Sequence, residues 1–162
     1  MLAPGRRSRF CHTNRGGIDA GSHSYKTPRP QSPTVAGMTE RDILVVPPAG
    51  GRRYELEAMQ SRFLADGDET GDRYCVSEWW LEAGEPGPGP HSHEANEELF
   101  YVLEGTMTFQ AGEQLVDAPP GTFLRIPAGV VHDFSNRSDA RAGALNVFMP
   151  GGFERLMKRW TT

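Results

Sequence analysis

The strongest constraint on this chain is the shortness of its hydrophobic packets and the regularity of the breaks between them. From Ile43 onward, stretches rich in β-branched and aromatic residues recur roughly every eight to twelve positions. They predict strands over 53–58, 61–65, 74–82, 97–103, 107–111, 114–117, 122–126, 131–136 and 142–148. The breaks between them are turn chemistry, such as Asp66-Gly67-Asp68, Ala111-Gly112-Glu113, Pro119-Pro120-Gly121 and Pro127-Ala128-Gly129. Strands this short cannot bury their apolar faces alone. A set of them must stack as two sheets or close on itself, so the expected class is all-β, a sandwich or a barrel.

A length of 162 residues suits one domain with a tail. Residues 1–37 carry Arg6, Arg7, Arg9, Arg15, Lys26 and Arg29 against Asp19 alone, a net +5, which leaves −9 for the remainder of a chain whose total is −4. This leading segment has few branched aliphatics and is predicted to be a disordered basic tail. It lacks the apolar stretch of a signal peptide, and Met38 is an alternative start. It also lacks an ordered basic face with interleaved aromatics, so no nucleic-acid partner is expected. No apolar run, Ile43-Leu44-Val45-Val46 included, exceeds five residues, far short of the ~20 residues of a membrane span. Cys11 and Cys75 form no CxxC pair, which argues against a disulfide framework or a cysteine zinc knuckle and for a reducing, cytoplasmic setting. One helix is expected, at the end: Phe153, Leu156, Met157 and Trp160 fall at i, i+3, i+4 and i+7, an amphipathic face that packs on the barrel.

The chemistry gathers around three of the five histidines. His91 and His93 are two apart, so on extended chain both imidazoles point to one side. Glu98 follows seven positions after His91, and a turn at Ala95-Asn96 would return it to that side. Glu98, Phe100 and Val102 then form an inward row, with Leu99, Tyr101 and Leu103 outward. His132 lies on another expected strand. Three neutral imidazoles and one carboxylate would give a divalent first-row metal four protein ligands and leave one or two positions open.

These residues carry a resemblance. The run 84–105, with His91, His93, Glu98 and Gly105, is similar to the first cupin motif, and Gly121, Pro127, Gly129, His132 and Asn136 match the second at every spaced position. The first motif departs at its leading glycine, which would fall on Glu85, with Gly84 beside it. The spacer 106–120 looks like the shortest of the superfamily. Over 43–160 the chain resembles small single-domain cupins related to bacterial quercetinases.

The resemblance implies a double-stranded β-helix, or jelly roll, with one metal ion on His91, His93, Glu98 and His132. Iron, manganese, nickel, cobalt, copper and zinc all suit such ligands. It further implies a dioxygenase acting on a phenolic or enolic, flavonol-like substrate with dioxygen. Glu98 is then also the candidate catalytic base, and Trp79, Phe100 and Phe134 the candidate substrate-binding walls. A non-catalytic sensing or binding protein, and an isomerase or lyase using the metal as a Lewis acid, stand beside that reading. A homodimer is expected. Parity puts Trp79 inward with Cys75, Ser77 and Leu81, and Trp80 outward with Glu78 and Glu82. Arg125 and Glu97 read as surface, Cys75 as core, and the loop 84–90 either as a gate or as a stiff connector that cannot join a sheet edge.

Overall fold

The structure, a computed structural model, describes residues 43–56, 59–155 and 157. The tail over 1–37, the alternative start at Met38, and Leu156 and Trp160 of the closing helix lie outside the described residues. Each of the nine expected packets contains a strand. They are β1 (Arg52–Leu56), β2 (Met59–Ala65), β3 (Cys75–Leu81), β4 (Glu97–Glu104), β5 (Met107–Ala111), β6 (Gln114–Ala118), β7 (Phe123–Ile126), β8 (His132–Ser135) and β9 (Ala142–Met149). One short helix, α1 (Gly67–Thr70), stands where a plain turn was expected.

The strands form two antiparallel sheets, one ordered β1-β2-β3-β9-β4-β7 and the other β6-β5-β8. The sheets meet through aromatic rings. Phe100 on β4 lies 5.0 Å from Phe109 on β5 and 5.7 Å from Phe134 on β8, and Trp79 on β3 lies 6.0 Å from Phe134. These tilted and edge-on pairs are the favoured aromatic geometries, and each buried ring adds about 2–3 kcal/mol from the apolar surface it removes from water. The architecture is the all-β jelly roll.

Period-two alternation decides which side chains reach the interior. On β4, Glu98, Phe100 and Val102 are buried while Tyr101 and Leu103 are exposed, as the alternating row predicts. On β3, Cys75, Ser77, Trp79 and Leu81 all point in. Glu78 is buried despite its outward parity, because Arg62 donates to Oε2 at 2.5 Å and Trp80 Nε1 donates to the same oxygen at 3.2 Å. The Arg141 guanidinium stacks 4.3 Å from the Trp80 ring centre on that outer face. Arg125 pairs at the surface with Glu97 at 2.6 Å. Cys75 is fully buried, and burial raises its thiol pKa to about 12.

At the chain's far end, Glu154, Arg155 and Met157 are helical. Met157 is buried in the core, and Phe153 packs 5.2 Å from Phe148 and 6.4 Å from Phe63. The described part of the closing segment therefore covers the core, as its spacing predicts.

Candidate metal centre

Two segments separated in sequence are stitched together to bring the histidines into one place. The loop 84–96 runs beside β8. His91 N–H donates to the His132 carbonyl at 2.9 Å and His132 N–H returns the bond at 2.8 Å. Further along, Asn136 N–H donates to the Glu85 carbonyl at 2.9 Å, and Gly129 N–H donates to the His93 carbonyl at 2.8 Å. Gly87 is needed for this approach, since a Cβ there would lie 1.7 Å from the Phe134 carbonyl oxygen. The proline-rich loop 84–90 itself joins no strand, as expected of a stiff connector, and the chain meets β8 at the isolated bridge of His91 with His132. Its prolines remove some backbone donors, but Gly89 N–H and the His91 and Asn136 amides suffice to hold it.

The turn motif before β8 has a specific use. Val130 N–H closes on the Pro127 carbonyl at 3.3 Å, Gly129 takes φ +80°, and its amide reaches His93. Asn136 acts as a brace. Its Nδ2 donates toward the carbonyls of Leu81, Glu82 and Ala140, while Oδ1 accepts from the Ser138 amide at 3.0 Å and hydroxyl at 2.7 Å. The second motif therefore contributes one possible ligand, His132, and several residues that place it.

The four expected residues converge. The donor atoms of His91, His93, Glu98 and His132 all lie within 4.8 Å of one another. Atoms bound at roughly 2.1 Å to one ion are at most about 4.2 Å apart, so the cluster is within a few tenths of an ångström of coordinating distance. The imidazole centres of His91 and His132 are 4.4 Å apart, and those of His91 and His93 5.1 Å. Glu98 Oε1 sits 3.0 Å from His93 Nε2 and 3.1 Å from His132 Nε2.

The hydrogen bonds test whether these donors fit a cation. His91 Nδ1 lies 2.7 Å from the Gly89 carbonyl, and His132 Nδ1 2.9 Å from the Val130 carbonyl. A carbonyl can only accept, so Nδ1 carries the proton in both rings and each neutral ring turns its Nε2 lone pair inward. Backbone carbonyls in this role are the usual outer support of metal-binding histidines. His93 Nε2 is buried without a hydrogen bond, because the nearby Glu98 oxygen lies off the axis such a bond requires. A carboxylate and three inward lone pairs repel unless a cation, proton or metal, sits among them. The residue set fits a divalent ion.

The same contacts shift the proton affinities of the cluster. Burial alone would raise the Glu98 pKa, but the adjoining His132 and His93 rings overcome it and hold it at about 2. Burial would lower His132, yet the Glu98 carboxylate and the Val130 carbonyl override it and raise its pKa. His91, dominated by burial and facing the other two imidazoles, is lowered. The carboxylate favours its ionised form, and of these imidazoles His132 is the one whose protonated form it favours.

A cavity of about 260 Å³ opens onto this cluster. Trp79, Phe134, Phe153, Met59 and Pro88 form its apolar walls, and His91, His93, Glu98 and Asn146 its polar end. Two of the three aromatic residues expected as walls, Trp79 and Phe134, are there. Phe100 is absent from the lining and stands one layer deeper, against Phe109 and Phe134. Phe153, Met59, Pro88 and Asn146 complete the lining. Of these, Phe153 carries in sequence only the signal of an amphipathic face.

Residues 77–148 match the family model of the cupin domain. This barrel is a cupin domain. The quercetin 2,3-dioxygenase of Bacillus subtilis (strain 168) is 32% identical over 121 residues, which cover 68% of this chain and 35% of the relative. The chain thus spans about a third of the length of that curated relative. Among solved structures, TT1209 from Thermus thermophilus aligns with a TM-score of 0.57 and 26% identity, covering 67% of this cupin and 98% of that chain. The polyketide cyclase RemF from Streptomyces resistomycificus aligns with a TM-score of 0.59 at 23% identity, over 67% and 80% of the two chains, a likeness of fold alone. Among the described residues, no helix of this cupin is long and apolar enough to cross a membrane.

Proposed function

We propose that this cupin is a metal-dependent dioxygenase of a small, planar phenolic or enolic compound, the class to which flavonols belong. The observation that carries the reading is the composition of the cavity: a carboxylate and imidazoles at one end, aromatic and aliphatic walls elsewhere, and no lysine or arginine among the described residues of its lining. A substrate bearing a carboxylate or phosphate would find no cation among those side chains. A flat ring with a weakly acidic hydroxyl would find Trp79, Phe134 and Phe153 along its faces and the ligand cluster at its edge. The similarity to a quercetin 2,3-dioxygenase supports the same substrate class.

His91, His93, Glu98 and His132 would hold the ion, which when bound lowers the pKa of a coordinated hydroxyl and offers an open position for dioxygen. Glu98 Oε1 is the oxygen that faces the shared centre, so it is the atom placed to accept the hydroxyl proton. Trp79 and Phe134 orient the ring, and Phe153, packed 6.1 Å from Trp79, limits water beside it. The exposed Tyr101, Leu103 and Phe123 on the outer face of the larger sheet support a homodimer as the working form.

An oxygen electrode trace with metal-loaded protein and a panel of flavonols tests the activity. Oxygen uptake dependent on both metal and flavonol is expected. Flavonol binding without uptake would replace the reading with a sensing or binding protein. Product formed without uptake would replace it with an isomerase or lyase.

A further inference from the structure

We infer that Asn146 is a positioning residue that fixes Glu98 so that one oxygen, Oε1, faces the metal centre and the other, Oε2, never does; this rests on the metal-site reading above. Asn146 lies on β9 in register with Ser77 of β3 on one side and Phe100 of β4 on the other. It is 2% exposed, and its Nδ2 donates to Glu98 Oε2 at 2.8 Å. The aromatic layer around it includes Trp79, Phe100 and Phe148, all buried. A side-chain amide in such surroundings is costly unless its polar atoms are satisfied, and here they are satisfied in one direction only.

That direction is set by a short hydrogen-bond chain. Trp79 Nε1 can only donate, and it donates to Ser77 Oγ at 3.0 Å. Ser77 Oγ then passes its own hydrogen toward Asn146 Oδ1 at 3.5 Å. With its oxygen engaged by Ser77, the Asn146 amide must present N–H to Glu98. All three donors point the same way and end on Oε2, so the chain favours a charged carboxylate in one rotamer. Glu98 Oε1 is left to His93, His132 and whatever lies between them. The same chain links Trp79, a wall of the substrate cavity, to a metal ligand through two intervening side chains.

A direct hydrogen bond from Asn146 to substrate is the competing role, and it would leave the substrate-free metal site unaltered. The test therefore uses cobalt(II) alone. Metal-stripped wild type, Asn146→Leu, Ser77→Ala and His132→Ala are titrated with cobalt(II), followed by visible absorption and by competition with a chelator, with circular dichroism as the check of folding. Asn146→Leu frees Oε2 to swing onto the ion. The expected result is a 10- to 100-fold fall in cobalt affinity together with weaker visible bands, since cobalt absorbs less as its coordination number rises. Ser77→Ala is expected to shift the spectrum the same way by less.

A spectrum and affinity like wild type in Asn146→Leu overturns the inference. So does a fall in affinity with an unchanged spectrum, which a loosened barrel would also produce. If Asn146→Leu does not fold, an unchanged spectrum in Ser77→Ala overturns it. Wild type that takes up no cobalt, or His132→Ala that takes up as much as wild type, removes the metal-site reading itself and the inference with it.

Discussion

The Glu98 carboxylate supplies a stability term whose size and pH window follow from the structure. Its pKa is about 2 in the metal-free fold against an ordinary 4.5, a difference worth about 3 kcal/mol. The folded value lies below the unfolded one, so the stabilisation is complete above pH ~4.5 and is lost as pH falls toward 2. By pH 3, about 2 kcal/mol of it should be gone. The contact is with His132, whose raised pKa gives a term of opposite sense, present below the ordinary 6.5 and lost as pH rises through the folded value. Both terms describe one interaction and do not add. The assay is urea unfolding of the chelator-stripped protein at intervals between pH 7 and pH 3, for wild type and Glu98→Gln. Other carboxylates titrate in both proteins, so the difference between the two curves isolates Glu98. Wild type should lose about 2 kcal/mol more than the variant between pH 5 and pH 3. Parallel curves over that interval would refute the electrostatic account of the cluster.

Three further outcomes are expected. His132→Ala should abolish stoichiometric metal, measured by elemental analysis, while circular dichroism stays that of a β protein; full occupancy would mean that the ligand set is wrong. In a Cys11→Ser background, the buried Cys75 thiol, its pKa near 12, should resist an aromatic disulfide reagent at pH 8 until denaturant is added, and rapid labelling of the native protein would contradict its placement. Gly87→Ala forces a methyl onto the Phe134 carbonyl, so the loop carrying His91 must shift. Its metal affinity should fall at least tenfold with little change in the far-ultraviolet spectrum, and wild-type affinity would show that the loop is not held as described.

Much of the barrel was legible because period-two alternation survives in each packet. The inward row of Glu98, Phe100 and Val102, the split between Trp79 and Trp80, and the outward turn of Glu97 follow from parity alone, whereas the pairing of Glu97 with Arg125 needs the register of β4 on β7. Parity reports the face of a side chain but not its depth. Phe100 shares the face of Glu98, yet it sits two positions further along β4 and therefore belongs to the layer beneath the cavity. The helix α1 carried a readable signal, Asp66 at the cap and Glu69 three residues on, each satisfying the other's backbone amide. The aspartates and glycines around it read more simply as a turn. Asn146 could not be singled out, because its partner Glu98 is 48 residues away and its chemistry depends on a register that only the folded β9 supplies.

The backbone bonds between the loop 84–96 and the β8 segment bear on how anything reaches the cluster. Swinging that loop aside would break four of them together, at about 1 kcal/mol each, and would drag two imidazoles with it. Traffic through that side would dismantle the very apparatus it was meant to reach. Met59 and Phe153 line the same cavity from opposite ends of the domain, and neither carries a ligand. Of the two, Phe153 packs edge-on 6.2 Å from the His93 ring, so a smaller side chain there would reshape the guest's space and loosen the ion's cradle together.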